Sequence, residues 1–309
     1  MVLSHSSFLL FENNPQSNIL QISDRTIKKC YTNKLIIKEY EESTVHYTSQ
    51  HHTFAICAYK ESQYLEKCIE SVKKQNVLGK VIIATSTPND YIQSMADKYE
   101  IPLYIRDGES NIADDWNFAY ENAKTELVTI THQDDIYCEN YLEDILDRVN
   151  EAKKPLIIFG DYGEIRGEDV VTDNKLLNIK KAMLYPLRSR ALWTSRFVRR
   201  RILAFGSAIC CPSVTYVKKN LPDVFFEWGY QSDLDWQAWE KISRLRGSFV
   251  YCNTVLMLHR IHQESATTQI IAESNRTKED YDMYCKFWPK WIAGLLIKFY
   301  AKSQDSNAI

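Results

Sequence analysis

Two carboxylate pairs and a histidine-bearing strand hold the residues of this chain best equipped for chemistry. Asp134 and Asp135 stand side by side, and paired carboxylates are hard oxygen ligands suited to Mg²⁺ or Mn²⁺. Adjacent acids in a surface loop are also often merely solvated, so their setting has to decide. Ser232-Asp233-Leu234-Asp235-Trp236 admits two readings. Ser232 followed three residues later by Asp235 has the spacing of a capping box, with Asp233 favouring the helix dipole. Alternatively, Asp233 projects from a helix start into a cleft and takes the proton of an acceptor hydroxyl. Spacing alone favours the cap. In His259-Arg260-Ile261-His262, strand alternation puts Arg260 and His262 on one face. There they could address a phosphate or a metal, or simply face solvent at a sheet edge.

The elements that must position these residues alternate. Phe54-Ala55-Ile56-Cys57-Ala58 is a short apolar strand, after which Tyr64, Leu65, Cys68, Ile69 and Val72 recur at helical spacing. Val81-Ile82-Ile83-Ala84-Thr85 is a second strand. Thr87-Pro88-Asn89-Asp90 then opens a helix with Thr87 as N-cap and Pro88 at the first helical position. Leu103-Tyr104-Ile105 leads to a helix with Ile112, Trp116, Ala119, Tyr120 and Ala123 inward, and then to the strand Leu127-Val128-Thr129-Ile130-Thr131. Such alternation specifies an α/β fold with a doubly wound, mostly parallel sheet flanked by helices. Ligands of these sheets sit beyond the carboxyl ends of the strands. That directs attention to Lys60-Glu61, Ser86, Arg106-Asp107 and, above all, His132-Gln133-Asp134-Asp135. The second half reads as strands at 156–159, 207–211 and 249–257 with an amphipathic helix over 232–246, and 34–37 is a possible short strand in an N-terminal extension.

Taken in order, these segments resemble family 2 of the glycosyltransferases, which have the GT-A fold. Phe54 to Glu61, followed by Tyr64 to Val72 and Gln75, resembles that family's first strand, nucleotide-contacting loop and first helix. Asn117-Phe118-Ala119 with Ala123 resembles the helix before its metal motif, and His132-Gln133-Asp134-Asp135-Ile136-Tyr137 stands where the family has its Asp-x-Asp-type sequence. Ser232-Asp233 stands at the Glu-Asp that supplies the base, and His259 to Thr267 resembles a frequent closing motif. Three departures accompany the match: His132 replaces the acid that usually contacts the ribose, Thr85 to Asp90 replaces the acidic, glycine-containing turn that helps hold uracil, and Ser232 replaces the Glu.

The resemblance covers about residues 53–268 and implies an inverting transferase that uses a nucleotide-sugar donor, in particular a UDP-sugar. It implies Asp233 as the general base and a divalent ion, Mn²⁺ or Mg²⁺, held by Asp134 or Asp135 with His262. Ala58, Tyr59, Lys60, Glu61, Ser86, Asn117, His132, Gln133 and Asp134 would contact the donor, and Trp236 and Arg260 the acceptor or phosphate. The acceptor would be a hydroxyl of a glycan or lipid-linked molecule in surface polysaccharide synthesis. The chain then divides into an N-terminal extension (1–50), the GT-A domain (51–268) and a helical tail (269–309). Two other readings stand beside this one. A sugar-phosphate nucleotidyltransferase shares the architecture but resembles a glycine-rich loop after the first strand, where Ala58-Tyr59-Lys60-Glu61 has no glycine. The third is a non-catalytic nucleotide-sugar-binding or assembly protein anchored by the tail.

Composition narrows the partners. A formal net charge of -2 gives no broad basic field, which disfavours nucleic acid as a partner. Eight cysteines, scattered through apolar segments without a C-x-x-C pair, read as reduced core residues. With no secretory pattern at the N-terminus, a cytoplasmic protein is expected. Six arginines over 188–201 and the aromatic run Phe287-Trp288-Pro289-Lys290-Trp291 suit peripheral contact with an anionic membrane at its inner face. They equally suit a surface helix paired with acids elsewhere and a tail packed on the body.

Overall fold

A computed structural model describes residues 45–262 and 276–304. The chain divides into two units between Val45 and His46, and all described residues but Val45 belong to the second. The expected strand at 34–37 and the end of the closing motif, 263–267, lie outside the described residues.

The four apolar runs of the first half form parallel strands: β1 (His52–Ala58), β2 (Lys80–Thr85), β3 (Leu103–Ile105) and β4 (Leu127–His132). β1 is buried along nearly its whole length, as a strand covered on both faces must be. The intervening helices are α1 (Leu65–Lys73), α2 (Asp90–Tyr99) and α3 (Ile112–Asn122). Their expected apolar faces are inward, with Leu65, Cys68, Ile69 and Val72 buried on α1 and Ala113, Ala119 and Tyr120 on α3. The start of α2 falls two residues later than the threonine cap implied. Asn89 is the N-cap and its side chain accepts from the main-chain N–H of Ile92 at 2.9 Å, a bond that asparagine makes at least as well as threonine.

The second half contributes β5 (Ile136–Tyr137), α4 (Tyr141–Asn150), β6 (Pro155–Arg166), β7 (Asp169–Val171), α5 (Lys175–Leu184), α6 (Arg196–Leu203), β8 (Val214–Val217), α7 (Leu234–Ser243) and β9 (Ser248–Ile261). The strand order is β3-β2-β1-β4-β8-β6-β9-β5, with β7 on β6. β8 runs antiparallel to both β4 and β6, and β5 antiparallel to β9. The sheet is therefore mixed, parallel where the sequence alternates regularly and mixed beyond β4. No strand forms at 207–211. A short 3-10 turn, Cys211–Ser213, occurs there instead, because Pro212 has no N–H to give a ladder, and the strand starts at Val214.

The pairing of β6 with β9 starts beside Gly247. Ser248 donates its N–H to the Lys154 carbonyl at 3.0 Å, and Gly247, at φ +147, brings its backbone so close that a Cβ would lie 2.5 Å from that oxygen. β5 pairs Ile136 with Leu258 and Tyr137 with Met257, which draws the residues just before β5 alongside the end of β9.

Two more helices close the described chain: α8 (Arg276–Cys285) and α9 (Lys290–Gln304). Trp288 donates its indole N–H to the Ala204 carbonyl at 2.7 Å, and Met283, Tyr284 and Ala293 are buried. The tail thus packs on the body, leaving Trp291 and Leu295 exposed. No helix among the described residues is long and apolar enough to cross a membrane. The arginine-rich stretch is largely consumed internally as well. Buried Arg199 donates to the carbonyls of Ser243, Leu245 and Gly247, and Arg200 and Arg190 pair with Glu240 and Glu151.

Candidate active site

Strand order reverses between β1 and β4, which makes the carboxyl ends of these two strands the topological switch point. Gln133 spans it. Its amide oxygen accepts from the Tyr59 N–H at 3.0 Å and its amide nitrogen donates to the Tyr59 carbonyl at 2.9 Å. Ala58, the last residue of β1, is buried, whereas Tyr59, Lys60 and Glu61 form an exposed loop. Lys60 adopts a left-handed φ of 52 and its N–H bonds Thr87 Oγ1 at 2.7 Å, so this loop is tied to the end of β2.

The adjacent acids separate into different roles. Asp135 is fully buried, and its Oδ1 accepts from the Arg260 N–H at 2.9 Å and pairs with His259 Nδ1 at 3.0 Å. It fastens the end of β4 to β9, while its Oδ2 is buried without a hydrogen-bond partner among the described residues, 3.8 Å from His132 Nδ1. Asp134 keeps part of its side chain in the cleft, and its Oδ2 lies 2.9 Å from His262 Nε2. Arg260 donates from Nε to the Asp134 carbonyl at 3.0 Å and lays its guanidinium 4.5 Å from the Tyr64 ring. His262 meets the same ring at 4.9 Å, so Arg260 and His262 share a face as alternation requires.

Charge follows this layout. Burial would lower the His259 pKa, but the charge and hydrogen bond of Asp135, with the charge of Asp134, lift it to about 9. Burial likewise opposes ionisation of Asp134, but the hydrogen bond from His262 and the nearby imidazoles hold it below its ordinary value. His132 is lowered by burial and stacks on Trp116 at 5.0 Å and 22°.

One hard oxygen and one imidazole nitrogen are donor types that would suit part of the coordination of a divalent ion. No group of three or more His, Cys, Asp or Glu side chains suited to a metal comes together among the described residues.

Two further contacts escaped the sequence reading. Ser86 Oγ donates to Asp115 Oδ2 at 3.0 Å, and Arg106 Nε to Asp115 Oδ1 at 2.8 Å, so an acid from α3 stands beside Ser86 at the end of β2. Trp116 supplies the aromatic plane under His132. Both sit on a helix whose spacing showed which face is inward but not what lies opposite. Asn117 donates to the Phe226 carbonyl at 2.8 Å, while its own Oδ1 has no partner among the described residues.

Asp233 is the N-cap residue of α7 by position, but neither it nor Ser232 caps the helix with its side chain. Asp233 is 3% exposed. Trp236, expected beside the acceptor, is instead wholly buried. Its indole donates to the Leu203 carbonyl at 2.9 Å and its ring meets Tyr284 edge-on at 5.2 Å. It is a core residue joining α6, α7 and α8, because the first turn of α7 faces the tail.

Residues 53–221 match the family described as Glycosyl transferase family 2, a little over half of the sequence. The chain belongs to glycosyl transferase family 2. It is accordingly an enzyme, a glycosyltransferase of GT-A type, and Asp233 and the end of β9 lie beyond the matched segment. Similar solved structures include S. aureus TarS 1-349 in complex with UDP, at 14% identity and a TM-score of 0.50, covering 80% of this chain and 70% of that one. The same protein in complex with UDP-GlcNAc matches at 12% identity, with the same TM-score and coverage. The mannosyltransferase PcManGT from Pyrobaculum calidifontis, in complex with GDP-Man and Mn²⁺, matches at 12% identity and a TM-score of 0.50, covering 84% of this glycosyltransferase and 72% of that chain. At such identities the likeness is one of fold. No curated protein sequence matches significantly.

Proposed function

We propose that this glycosyltransferase moves a sugar, with inversion at the anomeric carbon, from a UDP-sugar to a hydroxyl of a glycan or lipid-linked acceptor in surface polysaccharide synthesis. The observation that carries the reading is the meeting of Asp134 and His262, 2.9 Å apart, beside the crevice where strand order reverses. Mn²⁺ or Mg²⁺ held by these two residues would supply electrostatic stabilisation of the departing diphosphate. Arg260 adds fixed positive charge on the same side. Ala58, Tyr59, Lys60, Glu61, Ser86, Asn117, His132 and Gln133 line the nucleotide side. The nucleotide sugars bound in the TarS and PcManGT structures support a donor of this class.

Asp233 acts as general base. It takes the acceptor hydroxyl proton as the oxygen attacks the anomeric carbon opposite the nucleotide, and the bond from that carbon to the diphosphate breaks. Asp233→Asn is expected to keep nucleotide-sugar binding and to cut transfer roughly 10²- to 10⁴-fold, measured by calorimetry and product formation. Undiminished transfer removes Asp233 from this role.

The enzyme works in the cytoplasm, docked peripherally on an anionic membrane face. Supporting this are exposed Phe197 and Trp291, at 71% and 70%, and a cavity of about 190 Å³ lined by Arg196, Phe197, Arg200, Arg201, Ala204 and Phe287. Apolar side chains beside arginines suit an anionic interface. Wild-type protein should sediment with anionic vesicles at low salt, and Phe197→Ser with Trp291→Ser should release it. Failure of the wild type to sediment ends this part of the proposal.

A further inference from the structure

Helix α8 lies beyond the segment matched to the family, and two of its acids converge on one residue. Glu279, 9% exposed, accepts with Oε2 from the main-chain N–H groups of Ser232 at 2.8 Å, Asp233 at 3.1 Å and Gln231 at 3.1 Å, and with Oε1 from Gln231 at 3.1 Å. One carboxylate thus gathers three consecutive N–H groups of the loop that delivers Asp233. Asp280, the next residue, is 1% exposed, and its side chain is hydrogen-bonded to that of Asp233. Two carboxyl groups in contact inside a protein resist carrying two charges at once.

We infer that α8 is a working part of the active site, in which Glu279 fixes the loop and Asp280 shares one proton with Asp233. Both are positioning residues for the general base. The inference rests on the proposed role of Asp233 and deepens it.

The surroundings agree. Burial and the charges of Asp280 and Asp235 push Asp233 well above the usual carboxylate range, and Arg276 opposes them. The groups facing the pair are Tyr230 from the preceding loop, Asp235 from α7, and Arg276, Glu279 and Asp280 from α8. In the singly protonated pair, Asp233 accepts the hydroxyl proton while Asp280 keeps the bridging one. The new glycosidic bond then forms as the diphosphate leaves with its electron pair, and the pair returns its extra proton to water afterwards.

The test is the pH dependence of kcat/KM for transfer at saturating donor, in the full-length protein. Asp280→Asn should move the acidic limb to higher pH by about one unit, because a weaker amide donor replaces the shared proton that stabilises ionised Asp233, while Asp280→Glu leaves it near the wild-type position. Glu279→Gln should lower kcat about tenfold with donor KM unchanged. An acidic limb that stays in place in Asp280→Asn overturns the inference while leaving the base role intact, provided that Asp233→Asn is inactive. An active Asp233→Asn sinks the base role itself. Should Asp280→Asn fail to fold, ¹³C-aspartate titration of the wild type decides. A carboxyl titrating above the usual range and lost in Asp233→Asn supports the pair, and its absence overturns it.

Discussion

Asp134 and Asp135 are adjacent and chemically identical, but substitution should affect different quantities. Asp134→Ala is expected to weaken Mn²⁺-dependent binding of a nucleoside diphosphate with little change in stability, as read by calorimetry with and without the ion. Asp135→Ala should instead destabilise the fold by about 3 kcal/mol, because it leaves His259 and the Arg260 N–H without their buried acceptor, and denaturant titration would measure the loss. No spacing rule could tell the two apart. What separates them is burial, set by the pairing of β5 with β9 more than a hundred residues away. Trp236 teaches the same point in reverse. The resemblance placed it at the acceptor, yet it is wholly buried against Tyr284 and the Leu203 carbonyl.

At the scale of elements, alternation of apolar runs disclosed the parallel half because each βαβ unit is assembled from neighbours in sequence. The antiparallel insertion of β8 was harder to read. That strand is four residues long, and its partners β4 and β6 lie far along the chain. Gly247 marks one such long-range junction. Gly247→Ala would force a Cβ against the Lys154 carbonyl at a left-handed φ, and a loss of about 1–3 kcal/mol is expected. Thermal or denaturant unfolding should show it, with a neutral result for Gly229→Ala at the same sign of φ excluded only if strain, rather than the clash, dominates: Gly229 has no atom within 4 Å of its added Cβ.

For the whole molecule, two groups shielded by the fold pull stability in opposite directions as the medium acidifies. His52 bonds Thr129 at 2.8 Å in the core, and burial lowers its pKa from 6.5 to about 3. Between those values the unfolded chain binds a proton that the folded one refuses, so stability falls with pH across that window. Asp235 is raised by burial from 3.8 to about 6. Here the folded chain binds the extra proton, so stability rises as pH drops through about 6 toward 3.8. His52→Gln should therefore flatten the acid loss seen in denaturant midpoints between pH 7 and 5, and Asp235→Asn should steepen it. Equal slopes in all three proteins would count against both assignments.

The Glu279 clamp also imposes an order in time. Asp233 leaves the ribosome 46 residues ahead of the carboxylate that gathers its N–H. A nascent chain can therefore complete β1 to β4, with the crevice at their ends, while the loop bearing Asp233 still lacks its anchor. Chain breaks or premature stops after His262 and before α8 would leave fragments with the nucleotide side built and the acceptor side unheld, able to sequester a donor without turning it over.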